Sequence, residues 1–115
     1  METQTIEITA EQANKIRQDC NHYIDLNNTL EKLYANPDFQ KVFMKNYLED
    51  ESIRLVQLLG DPSLNIGGKK AEYREDLQER MIGIARFSEY LRYIPLKADQ
   101  ARKTLDDLAN ANYQD

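Results

Sequence analysis

The sequence predicts an all-α fold: an antiparallel bundle of three long helices, with a short N-terminal extended arm and a kinked or separate C-terminal helix. Three observations carry this. Apolar residues recur at spacings of three and four along most of the chain. Glycine and proline are few, four and three, and all but Gly83 stand between the periodic stretches. Helix-start and helix-stop residues fall where the rhythm begins and ends. At 115 residues the chain fits one domain: 1–9 as arm, 10–94 as bundle, 95–115 as C-terminal helical arm.

The arm comes first. Ile6 and Ile8 alternate with Thr5, Glu7 and Thr9, the period of a strand or extended lead-in. A lone strand has no sheet to join in an all-α chain, so it packs as coil or adds to a neighbour's edge. Thr9 to Gln12 is a capping box, in which the threonine hydroxyl and the glutamine side chain satisfy each other's free amides.

The first helix follows, from about Ala10 to Ala35. Ala13, Ile16, Cys20, Tyr23, Asn27, Leu30 and Tyr34 form a heptad seam, and Asn27 is its polar member. An amide on such a seam costs stability but can set register or partner number.

Asn36-Pro37 ends this helix, because the residue before proline avoids helical torsions. The same pair opens the second helix, with Asn36 as cap, Pro37 in the first turn and Asp38 at the positive end of the dipole. Apolar residues first favour one face (Phe39, Val42, Phe43, Tyr47) and then a rotated one (Leu55, Leu58, Leu59). Ile53 and Val56 lie elsewhere again. Such a helix is central in a bundle, with a remainder that faces a partner.

Gly60-Asp61-Pro62 is a stop signal. A loop to Gly68 holds Leu64 and Ile66, placed to tuck onto the end of the bundle. The third helix spans about Lys69 to Ile94, with Leu77, Met81, Ile84, Ser88 and Leu91 as its stripe and Gly83 beside it permitting close approach. Pro95 kinks this helix or starts a fourth. Ala98, Ala101, Leu105 and Leu108 then resume a narrower stripe, an arm for a neighbour or for the chain's own bundle. Asn110 to Asp115 should fray.

Fifteen basic and 20 acidic residues give a net charge of -5 and disfavour general binding to a phosphate backbone. The excess lies in residues 1–68, since 69–115 carries nine of each sign. One cysteine precludes an intramolecular disulfide and a cysteine-based zinc cage. METQTIEIT is polar and does not read as a signal peptide. No apolar run approaches the roughly 20 residues that span a bilayer. The expectation is a soluble chain made in the cytoplasm.

No constellation spells out a reaction. Cys20 and His22, two apart on a helix, point about 200° away from each other and make no nucleophile–base pair. Glu49, Asp50 and Glu51 diverge for the same reason and read as an exposed acidic face, with a divalent ion between subunits as the residual alternative. Gly67-Gly68-Lys69-Lys70 lacks the full phosphate-loop pattern and reads as a hinge. Arg74, Arg80, Arg86 and Arg92 turn about 600° per step and spiral around their helix, so they make no single basic patch. Seven tyrosines and three phenylalanines supply the aromatic anchors. No catalytic, cofactor or metal residue is expected.

Residues 36–59, NPDFQKVFMKNYLEDESIRLVQLL, and 76–92, DLQERMIGIARFSEYLR, carry a resemblance. Their Asn-Pro-Asp-Phe helix start, Ile-Arg-Leu-Val helix end and Gly-Ile-Ala-Arg-Phe core resemble small helical proteins encoded among the structural genes of tailed bacteriophages. The two stretches make up more than a third of the chain. The resemblance implies a virion-associated or assembly role and carries over no site residue. Pro95 departs from the uninterrupted third helix it implies.

The expectation is therefore a non-enzymatic structural or assembly protein, located in the virion or the host cytoplasm. It would contact other phage structural proteins or a second copy of itself, and neither a membrane nor a nucleic-acid sequence directly. Ile6, Ile8, Asn27, Ile53, Val56, Leu105 and Leu108 are the candidate interface residues. The alternative is a small phage-encoded inhibitor whose acidic helices bind a host protein.

Overall fold

A computed structural model describes residues 7–65, 70–110 and 112–114. The fold is all-α apart from one short pair of strands. In order, the elements are β1 (Glu7–Thr9), α1 (Ala10–Tyr34), α2 (Pro37–Phe39), a π-helix (Gln40–Glu51), α3 (Ser52–Leu59), a 3-10 turn (Pro62–Asn65), α4 (Lys70–Ala109) and β2 (Asn112–Gln114). The chain gathers into two compact units. Met1–Glu31 with Arg92–Asp115 form the first, and Lys32–Leu91 the second.

In the first unit, α1 starts at the capping box. The Thr9 amide donates to Gln12 Oε1 at 3.0 Å, and the Gln12 amide to Thr9 Oγ1 at 3.1 Å. Every seam position of α1 in this unit is buried or half-buried, from Ala13 at 1% exposure to Leu30 at 5%. Residues 92–109 of α4 answer with Ile94, Ala98, Ala101 and Leu108 buried and Leu105 half-buried. Lys97 sits over the Tyr23 ring, while Glu7 is level with Asn112. One number rises as its partner falls, so the two segments run antiparallel.

Past Ala109 the chain turns back. The Asn110 amide donates to the Asp107 carbonyl at 3.2 Å, and its side chain to the Asp106 carbonyl at 3.1 Å. The reversal lets β2 run parallel to β1, with Ile8 level with Tyr113. This corrects two expectations. The arm does not lack a strand partner, and residues 112–114 do not fray. Leu105 and Leu108 likewise pack in their own unit.

Pro95 does not end the third helix: α4 runs unbroken through it for 40 residues. A separate fourth helix is therefore absent. Proline inside a helix costs about 3 kcal/mol through its lost bond and ring clash. Burial of Ile94, Ala98 and Ala101 on the same stretch offsets that cost.

In the second unit, Asn36 caps as expected, in extended conformation (φ -81°, ψ 120°), its side chain accepting from the Asp38 and Phe39 amides. The expected single second helix is instead three pieces. After α2 the winding loosens to a π-helix for 12 residues, then tightens into α3. A π-helix usually appears as a one-turn bulge, so a run of this length is uncommon. Nothing in QKVFMKNYLEDE breaks an α-helix, which places the cause in packing. Gly60 ends α3 at φ -87°, so its stop uses no left-handed glycine. Asp61 Oδ1 then accepts from the Ser63 amide and hydroxyl at 2.9 and 2.8 Å and shapes the 3-10 turn.

Leu55, Leu77 and Ile84 form the core here, with Tyr47, Leu48, Leu58, Leu59 and Met81 packed against it. Arg74 donates to the Leu59 carbonyl at 3.4 Å, and the Phe87 ring meets Phe43 and Tyr47. The first half of α4 thus runs antiparallel to the π-helix and α3.

Candidate interaction surface

The aromatic residues of the second unit form a chain of ring contacts. Tyr34 meets Phe39 at 5.8 Å, Phe39 stacks on Phe43 at 5.3 Å, and Phe43 and Tyr47 both meet Phe87, at 5.9 and 5.7 Å. Phe39, Phe43 and Tyr47 are four apart. In an α-helix a spacing of four drifts about 40° per step one way, and in the wider π winding it drifts the other way. The rings hold one line on the π-helix, and each offset or edge pair adds about 0.5–1.5 kcal/mol.

Beside this line lies an open groove of about 300 Å³. The π-helix supplies Asn46, Tyr47 and Glu51. From α3 comes Leu55, and from α4 come Arg80, Gly83 and Ile84. Its floor is apolar and its rim polar. Gly83 opens onto space, since a Cβ built there would meet no atom within 4 Å beyond its chain neighbours and the backbone of its own helix.

The rim charges are paired. Arg54 Nε donates to Glu51 Oε2 at 3.0 Å and its Nη2 to Glu51 Oε1. This contact holds the Glu51 carboxyl below its ordinary value and raises the guanidinium. Arg80 pairs with Asp76 at 3.1 Å. One turn away, Lys45 pairs with Asp50 at 3.1 Å and Glu49 at 3.2 Å, and these bonds raise its ammonium. The run Glu49-Asp50-Glu51 is therefore largely answered within the chain. No group of three His, Cys, Asp or Glu side chains that could hold a metal ion occurs among the described residues.

The first unit holds a smaller cleft of about 140 Å³ between Asp19, Cys20 and Tyr23 on α1 and Lys97, Gln100, Ala101 and Thr104 on α4. Lys97 Nζ stands 5.5 Å from the ring centres of both Tyr23 and Tyr93. Burial, and then the nearby Asp19 charge, push the Cys20 thiol up and keep it protonated. His22 is exposed, its ring 5.4 Å from that of Tyr23.

The candidate interface residues do not gather in one place. Ile53 and Val56 are exposed, at 56% and 55%. Asn27 and Leu108 are each 6% exposed, within their own unit. Leu105 and Ile8 are half-buried. Ile6 and the Gly67-Gly68-Lys69 segment lie outside the described residues. Sequence reasoning missed the groove. The spacing of four across Phe39, Phe43 and Tyr47 also fits one stripe of an ordinary α-helix, so the sequence carried no signal of the groove.

No helix among the described residues is long and apolar enough to cross a membrane. Compared with protein-family models, curated proteins and solved structures, the chain matches none.

Proposed function

We propose that the chain is a non-enzymatic structural or assembly protein that acts through helix-mediated protein–protein contacts. The observation that carries this reading is the apolar surface left uncovered in the second unit. Val42, Phe43, Ile53, Val56, Ile82 and Tyr90 are each 42–56% exposed in the unit whose core cluster is Leu55, Leu77 and Ile84. Scattered apolar residues are ordinary on a surface, but aromatic side chains around an apolar groove are the usual anchors of interfaces.

The antiparallel three-helix bundle belongs to the same reading, supported by the antiparallel course of both helical pairs along α4. A tailed-phage origin rests on the sequence resemblance. Fractionation of an infected culture tests the role. The protein should sediment with particles or precursor capsids, partnered with itself or with another structural protein. Capture of one host protein, with none of the chain in particles, would favour an acidic inhibitor instead.

A further inference from the structure

Twelve residues of π-helix reach the same point as ten of α-helix. An α-helix turns about 100° and rises about 1.5 Å per residue, a π-helix about 82° and about 1.15 Å. Gln40–Glu51 therefore turns through about 980° and climbs about 14 Å, while ten α-helical residues turn through about 1000° and climb about 15 Å. The segment holds two residues in excess. Its side chains show the wide winding as well as its backbone does. Lys45 reaches Asp50, five residues on, at 3.1 Å. Five residues stand about 140° apart on an α-helix and about 50° apart on a π-helix.

Beyond this segment, α3 carries its apolar pair twice, two positions apart. Leu55 is fully buried, and Leu58 packs against the core cluster. Ile53 and Val56 have the same spacing and are 56% and 55% exposed. If Gln40–Glu51 winds as α-helix from a fixed Asn36 cap, every later residue of the helix advances by two places. Ile53 then stands where Leu55 stood and Val56 where Leu58 stood, while Leu55 moves to the exposed place of Gln57.

We infer that the second unit has two packing registers, a π-wound one with Leu55 and Leu58 in the core and an all-α one with Ile53 and Val56 in their places. Three contacts hold the π-wound register. The all-α register puts Gln57 in the place of Leu59, which packs on the core, and turns Tyr47 about 140° away from Phe87. It also parts Lys45 from Asp50. In return it gains the tighter and far commoner winding. A packed core is bistable rather than continuously deformable, so the slip is a two-state change. Whatever binds Ile53 and Val56 from outside holds the π-wound register, because the other register buries them. The inference does not depend on the assembly reading.

Rescue of a core lesion by a surface residue tests this in the full chain. Leu55→Gln should lower the melting temperature by about 10 °C. Gln57→Leu, at an exposed position, should change it by no more than about 2 °C alone. Combined with Leu55→Gln it should recover at least half of the loss, because in the slipped register the new leucine takes the place of Leu59. Ile53→Cys in a Cys20→Ala background reports the register. Its thiol should react freely in the parent chain and about tenfold or more slowly in the rescued one. Deleting the exposed Lys41 and Asp50 should give an all-α helix in the present register, folded and with the Ile53→Cys thiol still reactive. Absence of rescue, or rescue with that thiol still reactive, overturns the second register. A deleted chain that does not fold overturns the equivalence of twelve residues with ten on which the slip rests.

Discussion

At the scale of single residues, burial ranks the side chains. Leu55 is fully buried between α4 and its own helix in a unit with a small core. Leu55→Ala should cost about 2–5 kcal/mol, read as a lower denaturant midpoint at unchanged slope. Asn27 is the opposite case, a polar side chain 94% out of solvent on an otherwise apolar seam. Among the described residues no fully buried side-chain nitrogen or oxygen lacks a partner. Asn27→Leu should raise stability by about 1 kcal/mol and leave the molar mass unchanged. A loss of stability, or a new molar mass, would show that the amide sets register or partner number. This position was legible in the sequence because a heptad names its seam residues whatever they pack against. Gly83 was legible only as permission for close approach, since whether space or a neighbour lies above a glycine is a tertiary fact.

At the scale of elements, local chemistry was readable and long-range compensation was not. The Thr9–Gln12 box and the Asn36 cap stand where the sequence puts them, because each is set within four residues. Pro95 misled because its cost is local while the burial that offsets it is not. Pro95→Ala restores an amide donor and removes the ring, and it should raise stability by up to about 3 kcal/mol, measured by thermal melting. A drop would mean that α4 uses the proline to shape its packing. The π-helix was hidden because nothing in its sequence breaks an α-helix. Its charge pairs give it a pH dependence. Glu51 is held below its ordinary 4.5 by Arg54, so its contribution is present above that value and lost as pH falls through the depressed one. Asp61 is held below 3.8 by the Ser63 amide and hydroxyl and behaves alike. Lys45, raised above 10.5, contributes below that pH and loses its share as pH climbs through the raised value. The denaturant midpoint should be level near neutrality and fall below about pH 4, and Glu51→Gln should flatten part of that acid limb. A midpoint level down to pH 2 would show that these pairs add nothing.

At the scale of the whole molecule, helix class and order were legible, and the division of labour along α4 was not. One apolar stripe was readable from Leu77 to Leu108, but periodicity does not say which helix lies against which stretch of it. In the structure the π-helix and α3 pack with its first half in one unit, while α1 packs with its second half in the other. Because one continuous helix serves both units, unfolding should be a single transition, the same by circular dichroism and by tyrosine fluorescence. Two separated transitions would show that residues near Pro95 uncouple them. The paired strands carry a different consequence. Glu7 and Asn112 are register partners, and neighbouring strands lie about 4.8 Å apart. Each strand is only three residues long, so few ladder bonds tie the segment before α1 to the segment after α4, and removing either strand leaves the other without a partner.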